Sequence, residues 1–169
     1  MKNFLPAAFV ALALLIMSGC GGGSSSRTID PPPPDYVPEL LLFDMVDSEG
    51  KDSADYGDIE YLILNESVFD VFWEVNSLED YKVTLMLNDR DSPTGAIPIH
   101  SQICGAGRRC DQGGGWICDY LDDSMSCEGA RIADVYPLTR KTPYLYLILS
   151  ICDYDSAYCE YDYYRIIAE

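Results

Sequence analysis

From Glu39 to the end of the chain, apolar and polar positions alternate with a period of two, and no segment carries a sustained apolar stripe at helical spacing. Side chains of a strand point to opposite faces in turn, so this pattern predicts an all-β fold. The alternation marks strands over Leu40 to Met45, Ile59 to Leu64, Phe69 to Val75, Tyr81 to Leu87, Ile97 to Ile103, Arg131 to Tyr136, Tyr144 to Cys152 and Tyr158 to Ile167. In the third of these, Phe69, Val71, Trp73 and Val75 share one side while Asp70 and Glu74 take the other, as expected of a half-buried antiparallel strand. Tyr81, Val83, Leu85 and Leu87 repeat the arrangement against Lys82 and Asn88. Leu145 to Ile151 is apolar on both sides except at Ser150, which predicts a central strand. Asp47 to Asp58 and Asn88 to Pro98 read as polar turns. Cys104 to Glu128 reads as a cysteine-rich insert, with Gly113-Gly114-Gly115 a loose turn inside it.

Before Glu39 the pattern is different. Lys2 precedes an apolar run of 14 residues, Phe4 to Met17, interrupted early by Pro6 and closed by the small pair Ser18-Gly19. Such a run is too short to span a bilayer and has the build of a cleaved secretory signal. Gly21 to Ser26 then forms a flexible coil and Pro31 to Pro34 a stiff polyproline spacer. The coil spans roughly 12 to 15 Å root-mean-square and the prolines add about 12 Å. The expected organisation is a signal over 1–19, a tether over 20–35 and one folded domain over 36–169.

Two resemblances sharpen these expectations. Leu15-Ile16-Met17-Ser18-Gly19-Cys20 resembles the lipobox of bacterial lipoproteins, with Met17 in the place of the usual Leu. The resemblance implies that Cys20 is diacylated and becomes the new N-terminus, anchoring the chain to the bacterial outer membrane on its periplasmic or surface face. The alternative is a plain secretory signal in which Cys20 is an ordinary thiol. Phe69-Asp70-Val71-Phe72-Trp73, Tyr81-Lys82-Val83-Thr84-Leu85 and the L-x-x-x-T-x-Y run from Leu138 to Tyr144 together resemble fibronectin type III and immunoglobulin-like domains. They imply an antiparallel β-sandwich with Trp73 in its core and Tyr144 as a corner tyrosine. The cysteine-rich insert, and cysteines placed away from the immunoglobulin pair, depart from that family. The whole is also similar to small lipoproteins of Gram-negative bacteria, a likeness that implies no activity.

Charge and cysteine usage narrow the chemistry. The sequence has 11 basic and 28 acidic residues, a net charge of −17, and loss of Lys2 with the signal makes it −18. Phosphates would be repelled, which argues against nucleic acid and anionic headgroups as partners. Setting Cys20 aside leaves Cys104, Cys110, Cys118, Cys127, Cys152 and Cys159, an even number in a chain sent to an oxidising compartment. Three disulfides are expected, and of the fifteen connectivities short-loop closure favours Cys104–Cys110, Cys118–Cys127 and Cys152–Cys159. Metal binding is the rival use, but no C-x2-C pair occurs and His100 is the only histidine. The same lone histidine, and the absence of G-x-S-x-G or a complete phosphate loop, argue against an enzyme and against a cofactor. Paired carboxylates carry no weight in so acidic a chain.

Three candidate sites remain. Oxygen ligands bunch at Asp47 to Asp52, Asn88 to Asp91 and Asp153 to Asp155, where calcium and ordinary turn formation compete as explanations. Tyrosines crowd the last strand and its approach, where stacking on a glycan and simple β propensity compete. In a sandwich, the insert and the loops at Asn76 to Asp80 and Asp153 to Ala157 fall at one end, so Arg108, Arg109, Trp116 and Tyr154 form a candidate docking cluster. The competing reading has Trp116 packed beneath the insert. The expectation is a membrane-anchored lipoprotein displaying a binding or structural β-sandwich, its partner an unidentified protein or glycan. A calcium- or glycan-binding module is the alternative, and a hydrolase ranks last.

Overall fold

The computed structural model describes residues 37–52, 54–55, 57 and 59–169. Cys20 and the stretches expected to be signal and tether therefore lie outside the described residues. The chain from Tyr36 onward makes its own compact unit. Its elements are β1 (Glu39–Val46), β2 (Leu62–Leu64), β3 (Ser67–Asn76), β4 (Tyr81–Asn88) and β5 (Ile97–Cys104). After these come β6 (Gly113–Leu121), β7 (Ser124–Cys127), β8 (Ala133–Asp134), the single-turn helix α1 (Tyr136–Thr139), β9 (Tyr144–Asp153) and β10 (Cys159–Ala168).

The strands form two sheets, ordered β1-β3-β6-β7-β8 and β2-β10-β9-β4-β5. All neighbours are antiparallel except β2, which adds three residues parallel to the end of β10. The spatial order β1-β3-β6-β7 facing β10-β9-β4-β5 is that of an immunoglobulin-like sandwich. The route through it differs. After β5 the chain enters the first sheet beside β3 and only then turns outward to β7, whereas the immunoglobulin chain fills the outer position first.

The core is the set of inward positions that the alternation identified. Phe69, Val71, Trp73 and Val75 of β3 face Tyr81, Val83, Leu85 and Leu87 of β4, all at most 2% exposed. Leu145, Leu147, Leu149 and Ile151 complete the centre from β9, which lies between β10 and β4 as its two-sided apolar sequence requires. Ile148 is buried on the outer side of the same strand.

Four expectations need correction. The cysteine-rich stretch is a hairpin built into the first sheet: Trp116, Cys118 and Tyr120 point inward, while Ile117, Asp119 and Leu121 point outward. Its glycines are not a loose turn, since a side chain on Gly114 would meet Trp73 Cζ2 at 2.8 Å and one on Gly115 would meet Phe72 Cδ1 at 2.8 Å. Arg131 to Tyr136 is strand only over Ala133–Asp134, because Pro137, with no amide hydrogen and a fixed φ, sits in the first turn of α1. Ile59 to Leu64 shortens to Leu62–Leu64. Tyr144 is 52% exposed and packs on Tyr61 with ring centres 4.9 Å apart, so it does not plug the core as a corner tyrosine would. Tyr81 is the tyrosine that does, fully buried with its hydroxyl donating to the Cys110 carbonyl at 2.6 Å.

Candidate functional site

The six cysteines of the domain close three bonds, Cys104–Cys110, Cys118–Cys127 and Cys152–Cys159, each between neighbours in the chain. Cys118 and Cys127 face each other across β6 and β7, and Cys152 and Cys159 across β9 and β10. Cys104–Cys110 instead closes the loop after β5. Cys104–Cys110 and Cys152–Cys159 stiffen one end of the sandwich, where β1 also begins, with Glu39 beside Asn76, whereas Cys118 lies beside Phe69, toward the other end of β3.

Asp80, at the mouth of β4, knits the loops of that end together. Its carboxylate accepts from Arg108 Nη2 at 2.7 Å and Nε at 3.3 Å, and its backbone carbonyl accepts the amide of Tyr154 at 3.2 Å. The Arg108 hydrogen bond holds the Asp80 carboxyl below the usual carboxylate range, and Asp80 in turn raises Arg108. Gly105 is required at this junction. Its φ is +136° and a side chain there would run into the backbone and carboxylate of Asp80. The three loops anticipated at one end do meet there, through a residue that the alternation pattern did not single out.

The four candidate docking residues fare differently. Arg108 is committed to Asp80. Tyr154 is 56% exposed on the neighbouring loop. Trp116 is 3% exposed and packs in the main core, its ring 4.4 Å from that of Trp73. Its indole Nε1 donates to Gln102 Oε1 at 3.1 Å, and its ring stands nearly perpendicular to that of His100 with centres 4.7 Å apart. Burial lowers the His100 pKa below its ordinary value, and Glu128 opposes that effect. Arg109 is exposed and lines a cleft of about 160 Å³ with Trp73, Gln102, Cys110, Trp116 and Glu128. The cleft floor is aromatic and amide, and Gln102 Nε2 rests on Cys110 Sγ at 3.3 Å. Trp73 Nε1 is buried beneath, close to the Tyr81 hydroxyl. A polar group entering this cleft would meet both Arg109 and Glu128.

The acidic turns are organised by backbone amides. Asp47 is 3% exposed, and its two oxygens accept from the amides of Glu49, Lys51 and Ile63 at 2.8 to 2.9 Å. Asn88 donates to the carbonyls of Ser92 and Thr94, and Asp89 lies beside Arg90 and Lys141. Among the described residues no three metal-ligating side chains converge. None of their helices is long and apolar enough to cross a membrane.

The outer faces of the two sheets differ. That of the second carries Tyr61, Tyr144, Tyr146 and Tyr163. Tyr146 and Tyr163 meet edge to face at 5.4 Å, and Arg165 lies 5.5 Å over the ring of Tyr61. That of the first carries aliphatic and acidic residues, with Phe72 among them. The chain matches no family model, no curated protein and no solved structure.

Proposed function

We propose that the chain is a lipid-anchored protein of the bacterial envelope whose sandwich domain serves as a binding module. The observation that carries this reading is the accounting of cysteines. Six of the seven close disulfides within the domain, which suits an oxidising compartment, and the seventh is the one that follows Ser18-Gly19. Two or more acyl chains, at roughly 0.8 kcal/mol per buried methylene, hold a protein stably where a single chain is marginal. The domain then needs no membrane-embedded segment of its own. Cys20→Ala tests this: labelled palmitate is incorporated by the wild type and not by the variant, and the variant moves to the soluble fraction. Equal fractionation of the two, without label in either, ends the reading.

The second reading, a glycan-binding module, is favoured by the tyrosine array on the outer face of the second sheet. Planar rings held by their neighbours offer stacking surfaces at low conformational cost. Tyr146→Ala should abolish retention on immobilised cell-wall polysaccharide if that reading holds; retention unchanged by the substitution disposes of it. The calcium variant has less support, since the Asp47 carboxylate is already taken up by amide hydrogens.

A further inference from the structure

The strands of the first sheet that carry its outer face contain no basic residue. β1, β3, β6 and β7 read ELLLFDMV, SVFDVFWEVN, GGGWICDYL and SMSC. The register places their outward residues in a checkerboard. Asp44 stands opposite Phe72, Asp70 opposite Val46 on one side and Ile117 on the other, Val68 opposite Asp119, and Leu42 opposite Glu74. The apolar members are well exposed: Val68 53%, Phe72 44%, Ile117 62% and Leu121 55%. Apolar side chains this exposed, meeting only diagonally across a sheet, suit an amphipathic partner, and the acids between them fix the sign of what covers it.

We infer that the outer face of β1, β3 and β6 docks a cationic amphipathic helix, its apolar side seated on Val68, Phe72 and Ile117 and its Lys or Arg residues reaching Asp70, Glu74 and Asp119. The shape argues for a helix. Three strands about 4.8 Å apart make a strip roughly 10 Å across, the diameter of one helix, and the strand lengths match about 17 residues at 1.5 Å each. Gly115 contributes by letting the Phe72 ring lie down across it, flattening the strip at its centre. Like charges facing the wrong partner are costly, so the same acids reject an anionic helix. This deepens the reading of the domain as a binding module and rests on it; the anchor is tested separately by fractionation, so the two can fail independently.

The probe is a synthetic amphipathic helix of leucine and lysine, labelled and titrated by fluorescence anisotropy against the full chain carrying Cys20→Ala, which avoids lipid and detergent. Binding should weaken at least about tenfold, or 1.4 kcal/mol, in Asp70→Asn/Glu74→Gln/Asp119→Asn and likewise in Phe72→Ser/Ile117→Ser. A charge-matched control, Glu79→Gln/Asp91→Asn/Asp155→Asn, removes three acids from loops and should leave affinity within about threefold of wild type. Methyl spectra of the wild type need no variant: Val68, Ile117 and Leu121 should shift on adding peptide, while Ile103 and Ile148 of the other sheet should not. The proposal is overturned if the peptide fails to bind, if the control loses as much as the face variant, or if the methyl shifts fall on the second sheet.

Discussion

Trp116→Ala separates a core tryptophan from a docking one, and its cost can be worked from the packing. A buried tryptophan removes roughly 200 Å² from water, worth about 5 kcal/mol at 25 cal/mol per Å², of which an alanine retains a little. The observed range for such truncations is about 3 to 5 kcal/mol. Here the void would open between Trp73 and His100 and strand Gln102 without its indole donor, so the upper half of that range is expected. A domain of this size has roughly 5 to 15 kcal/mol in all, so the variant should fold but only just. With a guanidinium slope of about 3 kcal/mol per molar, the unfolding midpoint should fall by roughly 1.3 to 1.7 M. Trp116→Phe keeps a ring between Trp73 and His100 and should cost about 1 to 2 kcal/mol. Far-UV circular dichroism on the Cys20→Ala background is the assay, since fluorescence would itself be altered. A Trp116→Ala midpoint indistinguishable from wild type would mean that the indole is not packed as described.

Gly114→Ala places a methyl 2.8 Å from Trp73 Cζ2 and 3.2 Å from Cys110 Cβ, and overpacking of this kind costs about 1 to 3 kcal/mol. A thermal midpoint lowered by roughly 4 to 12 °C checks it. His100 is the only histidine, so its imidazole proton signals can be assigned without ambiguity. Because burial depresses its folded pKa, the unfolded chain binds the proton more readily. Its contribution is therefore intact above about pH 6.5 and is lost as pH falls through the lowered folded value. An NMR titration midpoint below that of a free imidazole is expected, moving lower still in Glu128→Gln; a midpoint above it would contradict the packing against Trp116. Replacing Cys118 and Cys127 together by serine frees a nine-residue separation that the chain-entropy model values at roughly 2.5 kcal/mol, read as a lower denaturation midpoint.

The strands with simple alternation were legible because burial on one face forces a period of two, and β1, β3, β4, β5, β9 and β10 fall within a few residues of their expected limits. β6 was hidden by composition. Gly113-Gly114-Gly115 carries no side chain to show a period, and its strand character comes from Trp73 and Phe72 on β3, which need room on the neighbouring strand. The alternation from Trp116 to Leu121 is short, and the cysteines around it are as compatible with loops as with a hairpin. α1 was missed because Val135-Tyr136 continues an apolar run that only Pro137 interrupts. Disulfide pairing was legible because near neighbours in the chain face each other across hairpins at Cys118–Cys127 and Cys152–Cys159 and close a short loop at Cys104–Cys110. The position of Asp80 between two loops was not, since it depends on tertiary contacts of Arg108 and Tyr154 that no local pattern encodes.

The same contacts decide where recognition can occur. An immunoglobulin-like domain commonly presents its loops, and the end bearing Cys104–Cys110 and Cys152–Cys159 looked suited to that use in sequence. In the folded chain those loops are occupied with one another: Arg108 with Asp80, the Tyr154 amide with the Asp80 carbonyl, and the Cys110 carbonyl with Tyr81. Ordering cost is low there, and what those loops still offer is Leu78, Tyr154 and Tyr158, with Arg109 beside a small cleft. The sheet faces expose apolar side chains as well, Val68, Phe72, Ile117 and Leu121 on the first and Tyr144 on the second. Sheet faces are rigid and their residues are spaced by the ladder, so a partner gains complementarity without ordering a loop. A cationic partner on the first face also relieves the repulsion among the acids beneath it, which a domain of this charge carries throughout. With the partner docked on the sheet face as inferred, Cys104–Cys110 and Cys152–Cys159 act at a distance from recognition, and substitutions in the loops they close should alter stability more than affinity.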